Sequence, residues 1–84
     1  MNSKNRKTLH AIFSKPTSAS IAFGDTESLL TALGADVIEG RGSRVSFTKD
    51  KLVLNLHRPH PEKEAKRYQV EDVREFLQKL GVQQ

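Results

Sequence analysis

Apolar residues recur every three or four positions in three segments of the chain, which is the spacing of one face of an α-helix. The first segment runs from Ser3 to Lys15 and places Leu9, Ile12 and Phe13 on one side. Pro16 ends it, because proline cannot supply the amide hydrogen that a helix interior needs. The residues after it, 16–20, are predicted to form a turn-rich linker.

The second helical segment follows this linker and is short. Asp25 is predicted to be its N-cap, and Gly34 to be its C-terminal stop. Its buried residues are predicted to be Leu29, Leu30 and Leu33.

The third helical segment lies near the C-terminus and ends at Gly81. Glu71 and Asp72 suit the positive start of a helix, and Lys79 suits its end. The apolar face is predicted to contain Val70, Val73, Phe76, Leu77 and Leu80.

Between the second and third helices the pattern changes to the alternation that is typical of strands. Short turns, 40–43 and 49–51, separate the runs. The predicted strands are Asp36–Glu39, Arg44–Thr48 and Leu52–His57. They are expected to form an antiparallel meander.

The second turn decides how the last two strands pair. With Lys49-Asp50 as the two turn residues, Phe47 pairs with Leu52 and Val45 pairs with Leu54. The apolar residues of both strands then share one face, as a half-buried sheet requires.

The same register makes a prediction about the opposite face of the sheet. It places Arg44 opposite Asn55, with His57 about 7 to 8 Å away on the diagonal. Three polar side chains are therefore expected to converge on the face that the helices leave free.

These elements predict one α+β domain over residues 1–84, in the order α-α-β-β-β-α, with a three-stranded antiparallel sheet packed on helices. Residues 1–20 are expected to be a helical extension and linker, and residues 21–84 the core. An 84-residue chain has room for one modest core.

Composition narrows the classes of function. The chain has no cysteine, which excludes disulfides and thiolate metal sites. A net charge of +4 and a pI near 9.7 favour phosphate-rich or acidic partners. No stretch has the length and apolarity of a membrane helix or signal peptide, so a cytoplasmic location is expected.

Several short motifs occur in order from Thr26 to Val82: Leu33-Gly34 at the end of a leucine-rich helix, the segment 39–44 (EGRGSR), His60-Pro61 and the terminal segment 77–82 (LQKLGV). With them the chain resembles the HicA family of toxins from bacterial toxin–antitoxin pairs. The resemblance implies a fold like that of double-stranded-RNA-binding domains. It further implies an endoribonuclease that cleaves messenger RNA and is blocked by a HicB-type antitoxin.

The family usually has a histidine directly after the Gly-Ser pair, described as catalytic, and this chain has Arg44 there. Metal-free RNA cleavage needs groups that move protons and a cation that stabilises the phosphorane. We therefore assign proton transfer to His57 or His60, since imidazole titrates near neutrality, and phosphate binding to Arg44. The alternative also stays open that neither histidine has a catalytic role, and that His57 is only an exposed strand-end residue and His60 only a loop residue.

The candidate RNA contacts lie around the same strands and in the connection after them. The hairpin segment that includes Arg41, Gly42 and Ser43 either cradles a phosphate or is only a tight turn, and the charged run before the last helix is either a backbone contact or a solvated linker. No metal site and no cofactor are predicted. The candidate contacts are Arg41, Gly42, Ser43, Arg44, Asn55, Arg58, Lys63, Lys66 and Arg67.

Three functions remain open at this stage. The first is a metal-independent ribonuclease toxin, the second is a catalytically impaired RNA-binding domain of the same fold, and the third is a protein whose basic face docks an acidic partner. Aromatic residues are few and Phe47 is assigned to the core, so extensive base stacking is not expected, and only Tyr68 could serve for it.

Overall fold

The computed structural model describes residues 1–83. Its elements follow the predicted order of two helices, three strands and a helix, which confirms the α+β class. They are α1 (Ser3–Phe13), α2 (Phe23–Ala32), β1 (Asp36–Glu39), β2 (Arg44–Lys49), β3 (Leu52–His57) and α3 (Arg67–Lys79).

Helix α1 begins at a side-chain cap and ends two residues before its predicted end. Asn2 accepts a hydrogen bond from the Asn5 amide through its side chain, at 2.7 Å. Ser14 is already extended, and Lys15 stands before Pro16, where the helical conformation is disfavoured. The helix packs against α2 and α3, and it buries Asn5, Thr8, Leu9 and Ile12.

Helix α2 begins earlier than the sequence predicts. Its N-cap is Ala22, and Asp25 lies within the first turn, so the prediction that Asp25 is the cap was wrong. An acidic side chain in the first turn still stabilises the helix, because the N-terminal end of a helix carries a partial positive charge. Asp25 also pairs with Lys4 of α1 at 3.2 Å. Gly34, at φ +97°, follows the helix in the left-handed region that favours glycine.

The sheet is antiparallel with the order β1-β2-β3, but the predicted register of β2 and β3 was wrong by two residues. The turn is Asp50-Lys51, and both residues have positive φ, as a two-residue type I′ turn requires. Phe47 therefore pairs with Leu54, and Val45 pairs with Leu56. Because the shift is an even number of residues, the apolar side chains remain on the predicted face.

The helices cover that apolar face and form a single core with it. Phe47 of β2, Leu30 of α2 and Leu77 of α3 have no exposed surface. Leu9 and Ile12 of α1 belong to the same cluster, so the N-terminal helix is packed into the domain. On the opposite face of the sheet, Arg44, Asn55 and His57 are exposed to solvent.

The connection from β3 to α3 is tied to the residues before α2. The Phe23 amide donates to the Lys63 carbonyl, and the Ala65 amide donates to the Ile21 carbonyl, both at 2.8 Å. Ala65 is buried, although its neighbours on either side are exposed. Within residues 1–83 no helix combines the length and the apolar character needed to cross a bilayer.

Candidate functional site

The true register makes Arg44 and His57 direct cross-strand neighbours on the open face of the sheet. The Arg58 amide donates to the Ser43 carbonyl at 2.8 Å, so Ser43 and Arg58 form a hydrogen-bonded pair. Hydrogen-bonded and non-hydrogen-bonded pairs alternate along antiparallel strands, and the next pair, Arg44 and His57, is therefore a non-hydrogen-bonded one. In such pairs the Cα atoms are about 4.5 Å apart and the side chains lie closest together. The predicted pairing of Arg44 with Asn55 was wrong, and the observed pairing brings the two candidate catalytic side chains nearer to each other.

Asn55 lies two residues before His57 on the same face of β3. It stands opposite Ser46, whose hydroxyl donates to its side-chain oxygen at 2.6 Å. The amide group of Asn55 remains available to donate to a ligand. The expected convergence of polar groups on this face is therefore confirmed, although the partners differ from those predicted.

Ser43 ends the hairpin loop that leads into β2 and contacts the candidate histidine. Its hydroxyl lies 3.4 Å from Nδ1 of His57, a long contact in which either atom can donate, depending on the tautomer. When Nδ1 carries the proton, Nε2 is left with the lone pair that a general base needs.

The loop between β1 and β2 is closed by its own backbone. The Gly40 amide donates to the Arg44 carbonyl at 2.9 Å, and the Arg44 amide donates to the Arg41 carbonyl at 3.1 Å. Gly42 has φ +60°. The tight-turn interpretation of this segment thus accounts for its glycines, while Arg41 and Gly42 stay exposed beside the site.

Gly40 is the glycine whose replacement would disturb Arg44 directly. A Cβ atom at this position would lie 2.9 Å from the Cβ of Arg44 and 3.3 Å from its carbonyl oxygen. Real side chains do not tolerate the first of these distances, so the absence of a side chain at residue 40 permits the observed position of Arg44.

A buried glutamine holds the backbone at the end of β3. Gln69 of α3 is 2% exposed, and its Nε2 donates to the carbonyl of His57 at 2.7 Å. Its Oε1 accepts from the Lys66 amide at 3.0 Å, which satisfies one of the unpaired amides at the start of the helix. The sequence analysis did not identify this residue. Its signal was a glutamine at the third position of a helix, the spacing of a capping box.

Arg58 follows His57 but points to the helix side of the sheet, where two carboxylates bind it. Its guanidinium donates to both oxygens of Glu27 at 2.8 and 3.1 Å, and to both oxygens of Glu39 at 2.6 and 2.9 Å. The hydrogen bonds to Glu39 and then Glu27 raise the pKa of Arg58 further, and the bond from Arg58 lowers the pKa of Glu39. The guanidinium together with its two carboxylate partners carries a net negative charge, which does not attract a phosphate, so we omit Arg58 from the RNA contacts proposed below.

The remaining candidates lie in and after the β3–α3 connection. His60 is exposed, and no hydrogen bond within residues 1–83 joins it to Arg44 or His57. Lys63, Lys66 and Arg67 are exposed, and Arg67 also donates from Nε to the Thr17 carbonyl at 3.2 Å. A surface cavity of about 380 Å³ adjoins this segment and is lined by residues that include Pro59, Glu62, Lys66, Arg67 and Tyr68.

Tyr68, which the sequence offered as the candidate for base stacking, is 55% exposed and lines that cavity. Across residues 1–83, three or more His, Cys, Asp or Glu side chains nowhere gather in a group that could hold a metal ion. The open face of the sheet carries the side chains of Arg44, Ser46, Asn55 and His57.

A comparison with known protein families decides the assignment. The profile described as the HicA toxin of bacterial toxin–antitoxin systems matches residues 24–82, which is most of the chain. The chain belongs to the HicA toxin family. No curated protein and no solved structure matches it.

The family match covers α2, the sheet and α3, and it begins after α1. The observed arrangement of a helix, three antiparallel strands and a final helix agrees with the fold like that of double-stranded-RNA-binding domains. As a HicA toxin, the chain is one component of a toxin–antitoxin pair. Arg44 of β2 and His57 of β3, which are direct cross-strand neighbours, both lie within the matched region.

Proposed function

We propose that this HicA toxin cleaves messenger RNA without a metal ion, using His57 and Arg44, and that a HicB-type antitoxin neutralises it. The observation that supports the proposal best is the cross-strand pairing of these two residues on the open sheet face. A phosphate placed over the pair would lie within reach of both side chains, because the pair is of the close type. The family membership supports the proposed reaction class.

In the proposed reaction, Nε2 of His57 takes the proton from the ribose 2′-hydroxyl, and the 2′-oxygen attacks the adjacent phosphorus. The bond from phosphorus to the 5′-oxygen breaks, and that oxygen receives a proton from an acid. The products are a 2′,3′-cyclic phosphate and a 5′-hydroxyl. Arg44 stabilises the charge that develops on the phosphate oxygens, since its planar fork binds two oxygens at once.

The proton for the leaving oxygen comes either from His60 or from water. His60 has the right chemistry, and the connection that carries it begins directly after β3. Within residues 1–83, no hydrogen bond joins His60 to Arg44.

The exposed groups around the pair are proposed to bind RNA. Arg41, Gly42 and Ser43 adjoin Arg44, and Asn55 adjoins His57 along the strand. On the helix side, Lys63, Lys66 and Arg67 are proposed to contact the backbone beside the cavity that Tyr68 borders.

The test is incubation of the purified toxin with a defined messenger RNA in EDTA, with the products resolved on a sequencing gel. We expect cleavage by the wild type and loss of at least about two orders of magnitude in rate for Arg44→Ala and His57→Ala. Thr48→Ala, which changes another side chain of β2 outside the proposed contacts, serves as the control and should cleave normally. The His60→Ala variant shows whether that residue supplies the acid.

Two results would contradict the proposal. Full activity of both Arg44→Ala and His57→Ala would show that these two residues do not carry out the cleavage. Intact RNA with a retarded band for the wild type would instead support the second candidate, an RNA-binding domain that does not cleave. The observation that favours this candidate is Arg44 itself, which stands where the family usually has histidine.

A further inference from the structure

The excess positive charge of the toxin is confined to one end of the sequence. Residues 1–15 contain Lys4, Arg6, Lys7 and Lys15 and no acidic residue. The rest of the chain has ten Lys and Arg residues and ten Asp and Glu residues, so it is neutral in total. The net charge of +4 therefore belongs to α1 and its flank, which lie outside the matched family range of 24–82.

Helix α1 presents this charge on a fixed surface. Its apolar side contacts the core, and Arg74 of α3 donates to the carbonyls of Ile12 at 2.9 Å and Ser14 at 3.4 Å. Because 3.6 residues make one turn, Arg6, Lys7 and the neighbouring His10 lie on the arc opposite the buried residues. All three are exposed.

Two of these charges have no intramolecular partner. Lys4 is paired with Asp25, but within residues 1–83 no carboxylate forms an ion pair with Arg6 or Lys7. They are thus free to bind an external anion, and their guanidinium and ammonium groups both bind phosphate.

We propose that the outward face of α1, defined by Arg6, Lys7 and His10, is a second contact surface for the sugar–phosphate backbone of the RNA. The proposal rests on the ribonuclease function proposed above. Since α1 packs on α2 and α3, behind the helices that cover the sheet, it contacts RNA at a distance from Arg44 and His57. Its role is to increase affinity, and it takes no part in the cleavage step.

The chemistry of this face favours a phosphate backbone over other partners. Protein interfaces are anchored by buried aromatic and apolar side chains, and they are depleted in lysine and serine. The outward arc of α1 has no aromatic residue and includes Ser3 and Lys7. A membrane-surface helix needs a free apolar face, whereas Leu9 and Ile12 are buried in the core.

The test compares two double variants with the same net charge. Arg6→Gln/Lys7→Gln removes the proposed contacts, and Lys51→Gln/Lys79→Gln removes two charges from the β2–β3 turn and the end of α3. Binding is measured by fluorescence anisotropy with a labelled 2′-O-methyl RNA, which the proposed reaction cannot cleave. Cleavage of the unmodified RNA is measured in parallel at saturating protein.

For Arg6→Gln/Lys7→Gln we expect an affinity on the order of tenfold below wild type at about 50 mM salt, and a deficit that shrinks toward about 200 mM, because the salt slope is lower by about 1.4 for two lost contacts to a single strand. The saturating cleavage rate should stay at the wild-type value. The Lys51→Gln/Lys79→Gln variant should lose much less affinity, because its charges lie outside the surface.

Equal losses in both variants, or no loss in either, would overturn the proposal, since the effect would then follow net charge or be absent. Wild-type RNA affinity in the Arg6→Gln/Lys7→Gln variant, together with weaker binding to anionic phospholipid vesicles, would assign the face to a membrane surface and also overturn it. Failure of the ribonuclease function is a separate result, because it appears as uncleaved RNA with wild-type protein, whatever the binding data show.

Discussion

Nε2 of Gln69 donates a hydrogen bond of 2.7 Å to the carbonyl oxygen of His57, and thereby joins the first turn of α3 to the end of β3. The glutamine side chain is buried, so its own polar atoms cannot exchange this bond for one to water. The backbone that carries the candidate histidine is therefore fixed from the helix side of the sheet.

Replacement of Gln69 by leucine should both destabilise the protein and displace His57. The variant removes the hydrogen bonds of the His57 carbonyl and of the Lys66 amide to Gln69, and each lost hydrogen bond costs about 0.5 to 1.5 kcal/mol. Urea unfolding measures the loss, and the NMR shifts of the His57 ring, recorded where both proteins are folded, report its displacement. Gln78→Leu on the exposed side of α3 is the control and should change stability by less than about 0.5 kcal/mol. An unmoved His57 ring in Gln69→Leu would contradict the positioning role.

Gly40→Ala should impair RNA cleavage more than it impairs folding. The new methyl group would meet the Cβ of Arg44 at 2.9 Å, so Arg44 must move away from its place opposite His57. The cleavage rate and the unfolding free energy are measured together. Gly24→Ala is the matched control, because nothing lies within 4 Å of the added atom there. Wild-type cleavage by Gly40→Ala would show that Arg44 does not need its observed position.

Arg74→Ala should loosen α1. The guanidinium of Arg74 donates to the carbonyls of Ile12 and Ser14 at the end of this helix and to the hydroxyl of Thr17 in the linker after it. Hydrogen bonds of charged groups contribute about 1.5 to 3 kcal/mol, so a loss of this size is expected in urea unfolding. Arg74→Lys should recover only part of it, since an ammonium group lacks the planar fork.

The control for this experiment is Lys79→Ala, whose exposed pair with Glu75 is worth about 0.3 to 0.5 kcal/mol. Faster hydrogen exchange at the α1 amides should accompany the Arg74→Ala change. If Arg74→Ala and Lys79→Ala were equally stable, the capping role of Arg74 would be refuted.

The ion pair of Glu39 and Arg58 predicts a dependence of stability on pH. The pKa of Glu39 is lowered in the folded protein by its hydrogen bond to Arg58. Its stabilising contribution is thus fully present above the ordinary pKa of 4.5 and is lost as the pH falls through the lowered value. Wild type should exceed Glu39→Gln in melting temperature at neutral pH, and the difference should shrink under acid conditions. A difference that stayed constant down to pH values below that range would contradict this account.

The order of the elements and the faces of the sheet could be predicted from the sequence, whereas the strand register could not. Moving Phe47 from Leu52 to Leu54 leaves every apolar side chain on the same face, so the hydrophobic pattern fits both pairings equally. The deciding feature is the backbone of Asp50 and Lys51, which both adopt positive φ. Lysine gives no signal for that conformation, because glycine and asparagine are the usual residues in such turns.

The candidate site was predicted in its residue types but not in its contacts. Arg44 and His57 were identified from the chemistry of their side chains, and their direct pairing depends on the register just described. Arg58 was expected to bind RNA because of its charge. Its two carboxylate partners, Glu27 and Glu39, lie on other elements, and a single sequence does not show which distant residues meet.

The two backbone bonds that join Phe23 to Lys63 and Ala65 to Ile21 divide the β3–α3 connection into a held part and a short free part. The free part comprises residues 59–62. Before it, the Arg58 amide is bonded to the Ser43 carbonyl, and after it the held part begins at Lys63. His60 therefore belongs to a tethered span of only a few residues. If His60 supplies the proton in the proposed reaction, a change confined to this span would bring it to the substrate without breaking the hydrogen bonds that hold the start of α2, the end of β3 and the start of α3.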